Sequence, residues 1–110
     1  MIPPYGLITG VVVRCRPIGV LKMDDQAGGD SKLLSVPVDD LKNLNRRVKG
    51  LRDVPKTMTR QIAHFFEHYK DLEKGEWVKV IGWAGPEDAK REILDSAARY
   101  RKEKKKKRLI

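Results

Sequence analysis

A chain of 110 residues and 12.6 kDa has room for one compact domain and excludes a second. With 40% apolar and 35% charged residues it can build a core, which argues against disorder throughout, and its single cysteine, Cys15, excludes an intrachain disulfide and fits a reducing compartment, with the cytoplasm as the default. The net charge of +9 is lodged at one end: Arg99 to Ile110 hold eight basic residues and one acidic, leaving only +2 for the preceding 98 residues, so contact with nucleic acid or an anionic surface is expected only through this tail.

The first third reads as strands. Leu7 to Val13 is apolar and β-branched, Ile18 to Met23 is a second run and Lys32 to Val36 a third, each bounded by Gly, Pro or Asp. The apolar stretch from Gly6 to Val13 stops at Arg14 and has no basic region before it, so neither a signal peptide nor a membrane span is expected. Asp24-Asp25-Gln26-Ala27-Gly28-Gly29-Asp30 is expected to be a turn or loop that gathers three carboxylates. Asp39 to Arg52 is polar without a sustained period, which predicts irregular backbone or a short surface helix. From Val54 the pattern changes: Val54, Met58, Ile62, Phe65, Phe66, Tyr69 and Leu72 recur at helical intervals, with Asp53 offered as N-cap, Pro55 in the first turn and Gly75 as the stop. Trp77 to Trp83 reads as a strand with Trp77, Lys79, Ile81 and Trp83 on one side. Pro86, Glu87 and Asp88 open a second helix with Ala89, Ile93, Leu94, Ala97 and Tyr100 on its apolar side and a basic end that complements the helix dipole. The expected division is a domain over residues 1–98 and a Lys/Arg-rich tail over 99–110.

Four groups of residues could carry chemistry. Asp25 and Asp30 with Lys32 combine two hard oxygen donors and a cation, a set that suits Mg²⁺ held by few carboxylates and completed by water and a phosphate, although acidic Gly-containing loops are mostly ordinary turns. Tyr69 and Lys70 place a phenol and an ammonium at the end of the long helix, where they could bind phosphate oxygens or simply be a half-buried ring and a solvated charge. His64-Phe65-Phe66-Glu67-His68 matches the inverted zinc-peptidase pattern H-x-x-E-H, but Phe65 and Phe66 set this turn beside the core, a third ligand would have to come from the short remainder and the chain is small for a peptidase, so surface or interface histidines are the expected reading. The fourth group is the Lys-rich tail, which as a solvated helix end needs no partner.

Beyond these patterns, the run Val12-Val13-Arg14-Cys15-Arg16-Pro17-Ile18-Gly19-Val20-Leu21-Lys22-Met23, the loop from Asp25 to Lys32, the segment Gln61-Ile62-Ala63-His64-Phe65-Phe66-Glu67-His68-Tyr69-Lys70-Asp71-Leu72-Glu73 and Trp77-Val78-Lys79-Val80 resemble, in order and spacing, the soluble family I inorganic pyrophosphatases, and the bacterial members above all. The resemblance runs to about Tyr100. It implies an α+β fold, a partial OB-like β-barrel with two flanking helices, and a Mg²⁺-dependent hydrolysis of pyrophosphate to two phosphates. It implies metal-binding roles for Asp25 and Asp30, phosphate contacts for Lys32, Tyr69 and Lys70, and a place near the site for Arg16. It also implies that the histidines of the long helix lie at subunit contacts and bind no zinc.

The departures from that family set a second expectation. Its Asp-x-Asp-Pro-x-Asp signature does not occur in these 110 residues, and Gly29 stands where many relatives carry an acid. Compared with the family, the chain looks like the carboxyl-terminal part of a pyrophosphatase without the N-terminal half, so hydrolysis by it alone is expected to be impaired. Strands deprived of neighbours would favour self-association into a homo-oligomer. The rival readings are a non-catalytic phosphate or metal binder, a partner that completes a full-length subunit, and a nucleic-acid binder using the tail.

Overall fold

The structure, a computed structural model, describes residues 6–38 and 47–108. Strands β1 (Cys15–Asp25) and β2 (Gly28–Pro37) are joined by Gln26 and Ala27 alone, with the pairing running from Asp25 opposite Gly28 to Cys15 opposite Pro37. Strand β3 (Val78–Ala84) lies antiparallel on the other side of β1, giving the order β2-β1-β3. Helix α1 (Lys56–His68) connects β2 to β3, and helix α2 (Pro86–Arg108) follows.

The period of two along β1 assigns each helix to a face of the sheet. Leu21 stands opposite Lys32 on β2 and Trp83 on β3, and the Trp83 indole Nε1 donates to the Thr59 carbonyl of α1 at 3.2 Å. Its neighbour Lys22 projects the other way, toward Asp88 of α2 at 4.0 Å. The principal core lies on the α1 side of the hairpin: Ile18, Leu34, Val36 and Val54 are buried together, with Val48, Leu51, Met58, Ile62 and Trp83 packed against them. Leu21 and Val20 are fully buried on opposite faces of β1, each worth about 1.5–3 kcal/mol by area removed from water.

Two irregularities shape the sheet. Pairing of β1 with β2 shifts between Pro17 and Gly19, next to a proline that has no N–H to give to a ladder. At Gly19 a Cβ would lie 2.8 Å from the Leu51 Cγ and 3.1 Å from the Ala84 carbonyl, so only glycine admits this approach. Pairing of β1 with β3 shifts between Lys22 and Met23, whose partners Gly82 and Val80 leave Ile81 as the extra residue, with Gly82 at φ 151°.

That bulge corrects the expected face of β3. Trp77 and Ile81 are exposed, at 51% and 60%, whereas Trp83 has been turned inward onto α1, so the four residues do not share a side. Five further expectations change. Leu7 to Val13 forms no strand; Ile8 and Val12 are 85% and 95% exposed, because β-branched sequence makes a strand only where a neighbour pairs with it and none of the described residues does. The acidic stretch over 24–30 is mostly strand, its loop reduced to two residues, because Gly28 at φ 113° lets the chain reverse at once. Helix α1 is about a turn shorter than its periodicity, ending with Tyr69 as C-cap while Leu72 is fully exposed and Gly75, at φ 80°, turns the chain beyond it. Asp53 does not cap α1: its carboxylate accepts the Lys49 and Gly50 N–H groups at 3.0 and 3.2 Å, closing the short turn Leu51–Asp53, and Pro55 occupies the N-cap. Of the apolar side expected for α2, only Ala89 is buried, with Leu94 and Tyr100 at 69% and 64% exposure.

Much of the segment expected to be irregular, 39–52, lies outside the described residues. No described helix is long and apolar enough to cross a membrane.

Candidate anion and metal site

Register decides which of the hairpin carboxylates can cooperate. Asp25 pairs with Gly28, and Asp30 is two residues further along β2, so Asp25 and Asp30 are diagonal neighbours on one face. Lys32 is two residues further again and shares that face. Asp24 pairs with Gly29 and belongs to the opposite face, so the three carboxylates of the sequence stretch do not form one cluster.

Each of the two facing carboxylates meets an ammonium. The Lys32 Nζ lies 3.1 Å from Asp30 Oδ2 and 5.5 Å from the centre of the Phe66 ring, and Lys32 and Phe66 line an open groove of about 540 Å³ together with Leu34, Ile62 and Trp83. The Lys70 Nζ lies 3.4 Å from Asp25 Oδ2, a contact spanning 45 residues of sequence, with only 19% and 12% of the two side chains exposed. Asp25 Oδ1 accepts the Ala27 N–H at 2.8 Å. That backbone bond is the main cause holding the Asp25 carboxyl below its ordinary range; partial burial opposes it, and Lys70 adds to it. For Lys70 burial works downward, but the hydrogen bond and charge of Asp25, together with Tyr69, outweigh it and the ammonium is raised.

Tyr69 comes to the site through α1. Its ring stacks on Phe65 at 5.8 Å and meets Phe66 edge-on at 5.5 Å, and Lys70 Nζ sits 5.5 Å from its centre. Past Tyr69 the chain descends in successive turns, Glu73 N–H to Lys70 carbonyl at 3.0 Å and Glu76 N–H to Glu73 carbonyl at 3.3 Å. It then reaches the hairpin tip, where the Trp77 N–H donates to Gln26 Oε1 at 3.3 Å. Residues 70–77 are thus a strap fastened to the tip at both ends, by Lys70 to Asp25 and by Trp77 to Gln26.

Asp25, Asp30, Lys32, Tyr69 and Lys70 therefore surround one end of the sheet. Arg16 is elsewhere. It lies nine residues along β1 from Asp25, about 30 Å by strand rise, and its Nε and Nη2 both donate to the Val48 carbonyl, at 3.1 and 2.8 Å. The helix histidines also stand apart from the carboxylates. His68 Nδ1 is 2.9 Å from Asp71 Oδ2, and its ring lies 4.5 Å from that of His64.

Asp25 and Asp30 fit a hard divalent cation of the Mg²⁺ kind, which protein usually holds through one or two carboxylates, leaving other positions to water and phosphate oxygens. They fall short of a cage: among the described residues no group of three or more His, Cys, Asp or Glu is disposed to hold a metal. Two residues of this end of the molecule, Gln26 and Glu76, had no signal in the sequence, because their place depends on the strap and hairpin tip meeting in space.

Comparison with known proteins identifies the family of the chain. The sequence profile described as inorganic pyrophosphatase matches residues 1–101. The chain is 56% identical over 96 residues to the inorganic pyrophosphatase of Escherichia coli (strain K12), covering 87% of this chain and 54% of that protein. It is 50% identical over 102 residues to that of Pseudomonas aeruginosa, covering 93% and 58%. Among solved structures, the inorganic pyrophosphatase of Thermus thermophilus superposes with a TM-score of 0.80 at 41% identity, over 91% of this chain and 57% of that one. That of Coxiella burnetii gives 0.80 at 43% identity, over 87% and 57%. The chain spans about half the length of the curated relatives it matches. Its three-stranded sheet and two helices are a partial OB-like fold of the α+β class, and the chain belongs to the inorganic pyrophosphatase family.

Proposed function

We propose that this chain carries the part of an inorganic pyrophosphatase site that binds phosphate and assists in holding Mg²⁺, for the hydrolysis of pyrophosphate to two phosphates. The supporting observation is the convergence of two elements, the hairpin tip and the end of α1, on two carboxylate–ammonium pairs at 3.1 and 3.4 Å. In this reading Lys32 and Lys70 donate hydrogen bonds from their ammonium groups to phosphate oxygens, Tyr69 orients the anion with its hydroxyl, and Asp25 and Asp30 turn their oxygens to the cation. When bound, Mg²⁺ supplies neutralisation of the anion and acidification of a coordinated water. Arg16 takes no direct part; it acts on the fold through Val48.

Two carboxylates are too few for that chemistry at full rate, and the 110 residues contain no Asp-x-Asp-Pro-x-Asp run to add to them. Hydrolysis by this chain alone is accordingly expected to be far slower than by a relative of full length. The outer edges of β2 and β3, unpaired among the described residues, and the exposed Phe65, Trp77, Ile81 and Leu94 favour self-association or pairing with a further polypeptide. The functional unit is residues 1–98, and 99–110 act as a separate basic extension although α2 runs without a break to Arg108. The substrate and the composition suit the cytoplasm.

Two measurements test the proposal. Phosphate release from pyrophosphate with Mg²⁺ should be well below that of a full-length relative, and turnover equal to it would overturn the half-site reading. Calorimetric titration of Mg²⁺ and then inorganic phosphate should show binding that Asp30→Asn weakens for the cation and Lys70→Met weakens for the anion. Identical titrations for the three proteins would mean that these residues form no site.

A further inference from the structure

The strap that brings Lys70 to Asp25 also brings a carboxylate that the phosphate reading does not use. Glu76 lies between the two fastenings, one residue before the Trp77 N–H that bonds Gln26. Its Oε2 is shut off from solvent and has no hydrogen-bond partner. A carboxylate oxygen excluded from water without a donor is costly, and the surroundings add to the cost. The Glu76 carboxyl is raised, first by its hydrogen bond to Glu73, then by burial and by the charge of Glu73, with Lys70 pulling the other way and Asp25 adding to the rise. Glu76 is thus a negative group within the electrostatic reach of both members of the Asp25–Lys70 pair. Asp71, by contrast, is drawn off to His68 at 2.9 Å, and Lys74 is exposed on the strap. Lys32 is held by Asp30, and Lys70 has two carboxyl groups within its reach, those of Asp25 and Glu76.

An anion approaching Lys70 meets that excess. We propose that Glu76 is a specificity-determining residue: its carboxylate opposes capture of a free phosphate-type anion at Lys70, so that the site selects the anion that arrives together with a divalent cation. A free dianion is repelled by Glu76 and must also compete with Asp25 for the ammonium. The same anion paired with Mg²⁺ carries little net charge, and its metal is attracted by the carboxylates that repel the free form. The role deepens the phosphate-site reading and rests on it.

A charge series at one position tests this by binding rather than turnover. Inorganic phosphate is titrated at pH 8, with and without Mg²⁺, into the wild-type chain, Glu76→Asp, Glu76→Gln and Glu76→Lys, with Lys70→Met as the reference for loss of the anion site. Without Mg²⁺, affinity should rise in the order Asp, Gln, Lys, with Glu76→Gln about three- to tenfold tighter than wild type. With Mg²⁺ the spread should shrink to about twofold. A merely structural role for Glu76 would lower affinity in Gln and Lys variants alike, whatever their charge. If the wild type binds phosphate and Lys70→Met weakens it, but the Glu76 series is flat, the inference fails and the phosphate site stands. If no variant responds and Lys70→Met equals wild type, the phosphate site itself fails and the role of Glu76 with it. Should Glu76→Lys not fold, the contrast between Asp and Gln still decides the sign.

Discussion

Arg16→Ala separates two roles for an arginine that family likeness puts near the catalytic end and the structure puts at the other. In the folded chain its Nε and Nη2 converge on one acceptor, the Val48 carbonyl, at 3.1 and 2.8 Å. The bond ties β1 to the segment that leads into α1, where Val48 and Leu51 pack on the core and Asp53 closes the turn. A hydrogen bond from a charged donor contributes about 1.5–3 kcal/mol, and truncation also leaves a part-buried carbonyl without it. A domain of this size has a total stability of about 5–15 kcal/mol, and one with two open sheet edges belongs near the lower end. The loss should lower Tm by about 6–24 °C, at roughly 4–8 °C per kcal/mol. Thermal and urea unfolding followed by circular dichroism give that number. Phosphate and Mg²⁺ titrations below the melting range should match wild type, because the contact is about 30 Å along β1 from Asp25. An unchanged Tm with lost phosphate binding would refute the reasoning and return Arg16 to the anion site.

The acid and alkaline limbs of stability follow from the shifted groups. Asp25 and Asp53 are both held below the usual 3.8, so the stability they give is complete above about pH 4 and is lost as pH falls through their folded values; Asp25→Asn should flatten this limb in melts between pH 2 and 5. Lys70 is raised above 10.5, so its contribution is present below that pH and disappears as pH climbs past it. Glu76 has the opposite sign from Asp25: raised from 4.5, it favours the fold at low pH and costs stability once it ionises, so Glu76→Gln should gain in Tm relative to wild type on going from pH 4 to pH 7. Deleting residues 99–110 removes +7 of the +9 and should abolish whatever weak, non-specific binding to duplex nucleic acid the tail gives, for which the log–log salt slope would be about −4 to −5, while phosphate binding persists; sequence-selective binding that survives the deletion would show a reading surface on the body.

What could be read from residues alone was whatever depends on a local period or on a matched motif. The strand cores Ile18 to Met23 and Lys32 to Val36 both lie within observed strands, and the helix over 56–68 falls within its periodic stretch. The misreadings have one origin, the dependence of local sequence on neighbours in space. Leu7 to Val13 has strand composition without a pairing partner among the described residues. Trp83 has the parity of Ile81 but faces the other way, because the bulge at Ile81 and Gly82 resets the alternation, and nothing short of the pairing with β1 reveals it. Asp53 has the type and position of an N-cap, yet a competing turn three residues earlier takes its carboxylate. At the site, the sequence put three carboxylates in one stretch and offered Asp25 and Asp30 as a pair, and strand parity sets Asp24 on the opposite face from both. Glu76 was invisible for the converse reason: its burial is created by the strap.

A chain that spans about half the length of its relatives can bring these residues together because the two parts that place them are each nearly local. The hairpin needs only β1, β2 and a two-residue turn to set Asp25, Asp30 and Lys32 on one face. The strap needs only the end of α1 and three successive turns to present Lys70 and Glu76. Only the docking of one on the other is long-range, and it is secured by Trp83 to Thr59 on one side and by the Lys70 and Trp77 contacts on the other. The resulting site is closed on itself, each carboxylate holding a lysine. In the proposed site a cation taking Asp25 would free Lys70 and a phosphate taking Lys70 would free Asp25, so each ligand would remove a competitor of the other. The two bindings are coupled by an exchange of partners within one ion pair, and linkage makes that coupling equal in both directions. Glu76 strengthens it by penalising the state in which the anion is bound alone.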